Sequence, residues 1–326
     1  MQNINSKLAA FRRGSEPRLS GILNLTPDSF SDGGYFNEVD LAVKQAKEIM
    51  SSGGSCLDLG AESTRPGSEL ISSSEELRRL SPVISELAAY DYPFSVDTYK
   101  AETAEYAANH GACLINDISG LLADLEMADV VAAKRIGLVL MFNPTILRPE
   151  HPASRNFRQF VTKPVFSRQE IAKITKFSIT EQMLFYFEFA LRRAKTAGIP
   201  EENIWLDPGI GFGLTMGENL QLLKEAPAAI EKLGFARYFG VSRKRFLAST
   251  LQAGAVSIPE VKPNEYNKGA MLDPRDAATA AVTSYLAAQG VELLRVHNVA
   301  ANLPALLVGK ALCSGQASTE LFGQYR

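Results

Sequence analysis

Residues 21–34 read GILNLTPDSFSDGG. An apolar run of strand type stops on Asn24 and gives way at once to Thr26-Pro27-Asp28-Ser29 and Ser31-Asp32-Gly33-Gly34. Pro, Asp, Ser and Gly are turn formers, so a plain turn explains the loop. It does not explain the asparagine. A strand whose carboxyl end presents a polar side chain, followed by a glycine-rich loop, is also how a rigid scaffold offers a ligand site. The rest of the chain decides between the two.

Outward from that stretch, short apolar runs recur at 20–25, 55–59, 93–97, 112–116, 137–141, 203–207, 237–241 and 292–296. Segments of helical spacing lie between them, among them 39–51, 74–89, 100–109, 217–233 and 274–288. Strands alternating with helices argue for parallel pairing through crossovers, and eight is the number that closes a barrel. A doubly wound open sheet is the rival, but no G-x-G-x-x-G opens the first helix. The expected fold is a single (β/α)8 TIM barrel over 1–326, with its core at about 18–312. A long insertion at 143–170 follows strand 5, and a smaller one follows strand 7. Connections that long are usually functional loops, lids or disordered insertions. The first half of 143–170 shows no pattern of a packed helix, and it is expected over or beside the mouth, outside the chemistry.

Composition excludes several classes. A formal net charge of −2 gives no electrostatic footprint for nucleic acid or an anionic membrane. The 3 cysteines, Cys56, Cys113 and Cys313, are too few and scattered for a disulfide framework, and no C-x-x-C points to a structural metal. The start, MQNINSKLAAFRRG, lacks the apolar core of a signal peptide. A cytoplasmic protein with neither nucleic-acid nor membrane partners is expected.

Ligand sites of such barrels lie at the carboxyl ends of the strands. There the chain places Asn24, then Thr64-Arg65-Pro66 after strand 2, Asp97 after strand 3, and Asn116 and Asp117 after strand 4. Asp207, then Ser242-Arg243-Lys244, and finally Arg295 and His297 end the last three strands. Each has a plain reading alone: a helix cap for an aspartate, a structural hydrogen bond for the histidine, a tight turn for DPGIGFG, a solvated helix start at Lys244 and Arg245. Their joint occurrence at one mouth does not. Asp97, Asn116, Asp207 and Lys244 suit a flat heterocycle bearing an amino group, a ring N–H and a carbonyl, since a carboxylate takes two parallel bonds from a guanidine-like edge. Asn24, Arg295 and His297 suit an anionic, oxygen-rich group, with a hard cation.

These residues resemble the dihydropteroate synthase family over nearly the full chain, from about Arg18 to Gly309. Both family signatures stand here, GILNLTPDSFSDGG and LDLGAESTRPGSE, followed in order by SVDT, NDISG, DPGIGFG, GVSRK and RVH. The resemblance implies an enzyme, a sulfonamide target, that joins 7,8-dihydropterin-6-ylmethyl diphosphate to 4-aminobenzoate and releases diphosphate. It implies that Asp97, Asn116, Asp207 and Lys244 hold the pterin, with Met141 and Phe212 also substrate-binding. Asn24, Arg295 and His297 would hold the diphosphate, with Mg²⁺ at Asn24. Phe30, Thr64, Arg65, Pro66 and Ser242 would form or cover the aminobenzoate site. Lys244, Arg295 and His297 are the implied catalytic residues, and a homodimer is the implied assembly.

The chain departs from the family at the rim. It reads MFNPTILRP after strand 5, Leu214 where lysine is usual, Arg245 after SRK, Asn298 after RVH, and EYNKGAM before the last long helix. A non-catalytic or regulatory pterin-binding paralogue is therefore an alternative. A methyltetrahydrofolate:corrinoid methyltransferase is another, disfavoured by the Thr64-Arg65-Pro66 and Ser242-Arg243-Lys244 runs.

Overall fold

The computed structural model describes residues 4–26, 35–161, 165–257 and 273–314. A short N-terminal helix, α1 (Ile4–Ala9), precedes β1 (Arg18–Asn24). The chain then alternates through α2 (Tyr35–Ser51), β2 (Cys56–Gly60), α3 (Ser73–Leu87), β3 (Phe94–Asp97), α4 (Ala101–Asn109), β4 (Leu114–Asp117), α5 (Met127–Lys134) and β5 (Gly137–Met141). Three helices, α6 (Pro144–Leu147), α7 (Arg168–Ile174) and α8 (Ile179–Ala197), separate β5 from β6 (Ile204–Asp207). The remainder is α9 (Met216–Leu233), β7 (Ala236–Gly240), α10 (Arg245–Ala253), α11 (Pro274–Ala288), β8 (Leu293–Val296) and α12 (Val299–Ser314). Each strand pairs parallel with the next and β8 pairs with β1, so the sheet closes into the expected barrel. Residues 258–272, most of the irregular stretch after β7, lie outside the described residues.

The strands are buried on both faces, which is why they read as apolar runs without clean alternation. Outward side chains such as Leu23, Leu57, Val96, Leu140 and Leu294 join the apolar faces of the helices in one core. Inward side chains from the lower part of the barrel, among them Leu114, Val139, Trp205 and Leu293, form a second core, and Leu8 and Phe11 pack into it. Trp205 Nε1 donates to the Phe11 carbonyl at 2.6 Å, tying the N-terminal segment under the barrel.

The connection after β5 corrects the expectation of an unpacked first half. Asn143 caps α6 by accepting from the Thr145 N–H at 3.1 Å, and Pro144 takes the first helical position, where its missing N–H costs nothing. Thr145, Leu147, Arg148 and Ser154 are buried.

Candidate active site

Register places Asn24, Gly60, Asp97 and Asn116 side by side across β1 to β4, and Met141 beside Asp207 across β5 and β6. Because inward positions recur every second residue, these side chains share the upper end of the interior. Asn116 and Asp207 are 3% and 5% exposed and so withdrawn from water, while Asp97 and Lys244 are half-buried. The Asn116 carboxamide oxygen has no hydrogen-bond partner among the described residues. Such an orphan acceptor is costly unless a ligand pairs it.

Burial pushes the Asp207 carboxyl up to about 6, against an N–H bond from Gly209 at 2.8 Å and the nearby Lys244 charge. It likewise brings the Lys244 ammonium down to about 8, with Arg295 adding to the effect. Lys244 is the N-cap residue of α10, yet its side chain turns inward, its Nζ 4.4 Å from the centre of the Phe212 ring. The glycines of DPGIGFG make this approach possible. Gly209 has φ +69 and a Cβ there would lie 1.9 Å from the Phe142 carbonyl oxygen; at Gly211, φ +84, it would lie 2.6 Å from the Lys244 stem. The tight-turn reading of that motif therefore holds.

Arg295 is paired inside the barrel. Expected on an anion, it donates through Nε to Asp58 and through Nη2 to Asp97 at 2.8 Å. Burial opposes its charge, but the two carboxylates outweigh that and hold the guanidinium protonated more firmly than usual. Asp97, in turn, is pushed up to about 7 by burial in spite of Arg295. Arg295 thus joins the two groups of residues that the sequence reading kept apart. Asp58 was missed. Its signal is a single charge on the inward phase of CLDLG, and its Oδ1 also accepts from Ser95 Oγ at 2.5 Å.

His297 and Ser242 also come together. The Ser242 hydroxyl is 2.9 Å from His297 Nδ1 and accepts from the His297 backbone N–H at 3.1 Å. Burial, reinforced by the charges of Arg243, Arg295, Arg65 and Lys244, drives the imidazole pKa well down, so the ring is neutral. Ser242 is itself buried. Thr64 is half-buried and Arg65 and Pro66 are exposed, on the loop after β2. That loop is fastened to β3 through Glu62, which pairs with Lys100 and accepts from the Tyr99 hydroxyl at 3.0 Å. Phe30 lies outside the described residues.

Two neighbours prove structural. Asp117 accepts from the Ser119 and Leu121 N–H groups at 2.8 and 2.7 Å and shapes the turn after β4. Asn298 caps α12 through the Ala301 N–H at 3.0 Å while its amide donates to Asp276 at 2.9 Å, a bond that an aspartate there would replace with repulsion. Asp276 also holds Arg243 through two bonds, at 2.7 and 2.8 Å, with Arg243 in the left-handed region at φ +55.

The family model described as pterin binding enzyme matches residues 20–297. The chain belongs to the dihydropteroate synthase family of pterin-binding enzymes. It is 37% identical to the dihydropteroate synthase of Staphylococcus haemolyticus over 292 residues, covering 89% of this chain and 92% of that one. The dihydropteroate synthase of Clostridium difficile, solved in the presence of pteroic acid, superimposes with TM-score 0.73 at 34% identity, covering 92% of this chain and 97% of that one. That of Xanthomonas albilineans with 4-aminobenzoic acid gives TM-score 0.72 at 34% identity, with 91% and 93% covered.

Proposed function

We propose that this dihydropteroate synthase family enzyme condenses 7,8-dihydropterin-6-ylmethyl diphosphate with 4-aminobenzoate, giving 7,8-dihydropteroate and diphosphate in folate biosynthesis. The observation that carries the reading is the set of Asp97, Asn116, Asp207 and Lys244 at the strand ends, with Asn116 and Asp207 buried and the Asn116 oxygen unpaired among the described residues. Carboxylates at Asp207 and Asp97 accept from the amino and ring N–H groups of the pterin, the orphan Asn116 oxygen takes another, and Lys244 donates to the ring carbonyl. As the methylene–oxygen bond breaks, positive charge spreads into the ring beside these carboxylates, a fixed electrostatic environment for the developing charge. The arylamine nitrogen attacks the methylene carbon and then loses a proton, so no protein nucleophile is needed once the two substrates are oriented. Thr64, Arg65 and Pro66 are the loop residues available to the aminobenzoate end, and Arg295, with neutral His297, supplies donors to the departing diphosphate.

Mg²⁺ fits this site. Gly60 leaves clear the space between Asn24 Oδ1 and Asp97 Oδ2, which would lie 3.7 and 3.9 Å from a Cβ placed there. No group of three or more His, Cys, Asp or Glu gathers among the described residues, so a hard cation held at Asn24 would take its other ligands from the diphosphate and water. When bound, Mg²⁺ offsets negative charge on the leaving group. A homodimer through α11 and α12 is supported by the exposed Tyr285, Leu307, Val308 and Leu312. No helix among the described residues is long and apolar enough to cross a membrane, and a cytoplasmic location is proposed from the sequence.

The test is direct. Purified protein with dihydropterin diphosphate, Mg²⁺ and 4-aminobenzoate should yield dihydropteroate by mass spectrometry. A protein that binds pterin tightly yet forms none would establish the non-catalytic paralogue instead.

A further inference from the structure

The segment after β5 is bolted to the loop after β6. Arg148 donates to both Glu218 oxygens, at 2.5 and 2.8 Å, and to the Gly213 carbonyl at 3.0 Å. Ser154 adds a bond to the same carbonyl at 3.4 Å, and Asn143 Nδ2 donates to the Ile118 carbonyl at 2.9 Å, fixing the start of the segment to the β4 loop. Held this way, the segment brings two rings to the mouth. Phe157 lies tilted against Phe212 with centroids 5.9 Å apart, and Phe160 meets Tyr99 edge-on at 5.3 Å.

Phe160 has two different sides. It packs in one apolar cluster with Ile118 and Met141, and Phe212 adjoins that cluster. It also lines a shallow cleft of about 350 Å³ with Tyr99, Lys100, Asp124 and Leu125. One side chain therefore partitions a solvent-facing cleft from the apolar side of the buried polar set. A loop that merely covered the mouth would have no need to bury a large ring there.

We propose that Phe160 is a pterin-binding residue, completing with Met141, Ile118 and Phe212 the apolar wall against which the flat heterocycle packs, and sealing that wall from the cleft behind it. Arg148 is a positioning residue that acts through Phe160. The proposal rests on the pterin-binding reading above, and its test separates the two.

Calorimetry with 6-hydroxymethylpterin, and separately with inorganic diphosphate plus Mg²⁺, compares the full-length protein with Phe160→Ala and Arg148→Met. Phe160→Ala should weaken pterin binding about tenfold, the equivalent of losing one aromatic contact, while leaving diphosphate binding within about twofold. In turnover, KM for the pterin diphosphate should rise with kcat within about twofold of wild type for both variants, and Phe160→Tyr should restore the wild-type KM. Should Phe160→Ala fail to fold, Phe160→Val carries the same comparison, with an expected loss of about threefold. Pterin binding unchanged or tighter in the ring-deleted variant overturns the proposal, because Phe160 would then be outside the pocket or plugging it. A wild-type protein that binds no pterin overturns the functional reading instead.

Discussion

A single residue separates Leu114 from Asn116, Trp205 from Asp207 and Leu293 from Arg295, and both members of each pair face the barrel interior. The lower members belong to an apolar core with Leu8 and Phe11 packed into it. The upper members are amide, acid and guanidinium: Asn116 and Asp207 are buried, the Asn116 oxygen is unpaired among the described residues, and half-buried Arg295 is held by Asp58 and Asp97. One turn of the strand pleat thus divides stability from chemistry. The lower layer gains from burial without a polar penalty. The upper layer gives up stability by withdrawing charges from water, which is the condition for holding a polar heterocycle specifically.

The sharpest way to break this comparison is Trp205→Ala. It empties a large, fully buried volume and deletes the bond to the Phe11 carbonyl, and should cost about 3–5 kcal/mol of stability in urea unfolding. Pterin affinity of the folded fraction should stay within about twofold. A tenfold loss would show that the two layers are not independent.

Asp207→Asn should do the reverse. Replacing an acceptor oxygen with a donor facing the ligand's own N–H groups should cost about 2–4 kcal/mol of pterin binding, read by calorimetry. The Asp207 carboxyl stands at about 6 in the fold, above the ordinary aspartate value of about 3.9. Its contribution to stability is therefore complete below pH ~4 and is lost as pH rises through ~6, a swing of about 3 kcal/mol. Asp97, at about 7, extends the decline in the same direction. Asp207→Asn should flatten the decline, so that at pH 8 the variant unfolds at higher urea than wild type while binding pterin worse. Wild-type affinity should strengthen as pH rises through ~6, as the carboxylate ionises. A variant that keeps both the wild-type pH slope and wild-type affinity would remove Asp207 from the site.

What was legible in the sequence follows the same division. Strand positions showed because each is buried on both faces, and their ends shift by only one or two residues: 20–25 became Arg18–Asn24, and 137–141 stood unchanged. The polar residues showed because they stand at the apolar runs' ends. Asp58 did not, since one charge inside a strand has no local signature and its partner Arg295 is 237 residues away. The six residues of α1 are too few for periodicity, so nothing announced that Leu8 and Phe11 meet the barrel floor. The segment after β5 was masked by its prolines, although Asn143-Pro144 carried a helix-start signal.

The smallest expected effect tests how the anionic end is oriented. Ser242 contacts the neutral His297 ring at Nδ1 and also accepts from the His297 backbone N–H. A hydroxyl hydrogen donated to Nδ1 would leave Nε2 as the ring donor. Ser242→Ala removes this lock without touching Asp207 or Lys244. It should cost about 1 kcal/mol, a rise of about fivefold in KM for the pterin diphosphate, with bare pterin binding unchanged. Ser242→Thr, which keeps the hydroxyl, should restore the wild-type KM. If instead Ser242→Ala chiefly raises KM for 4-aminobenzoate, the hydroxyl serves the arylamine directly, and the anionic and arylamine ends of the site meet at Ser242 rather than at the loop carrying Thr64.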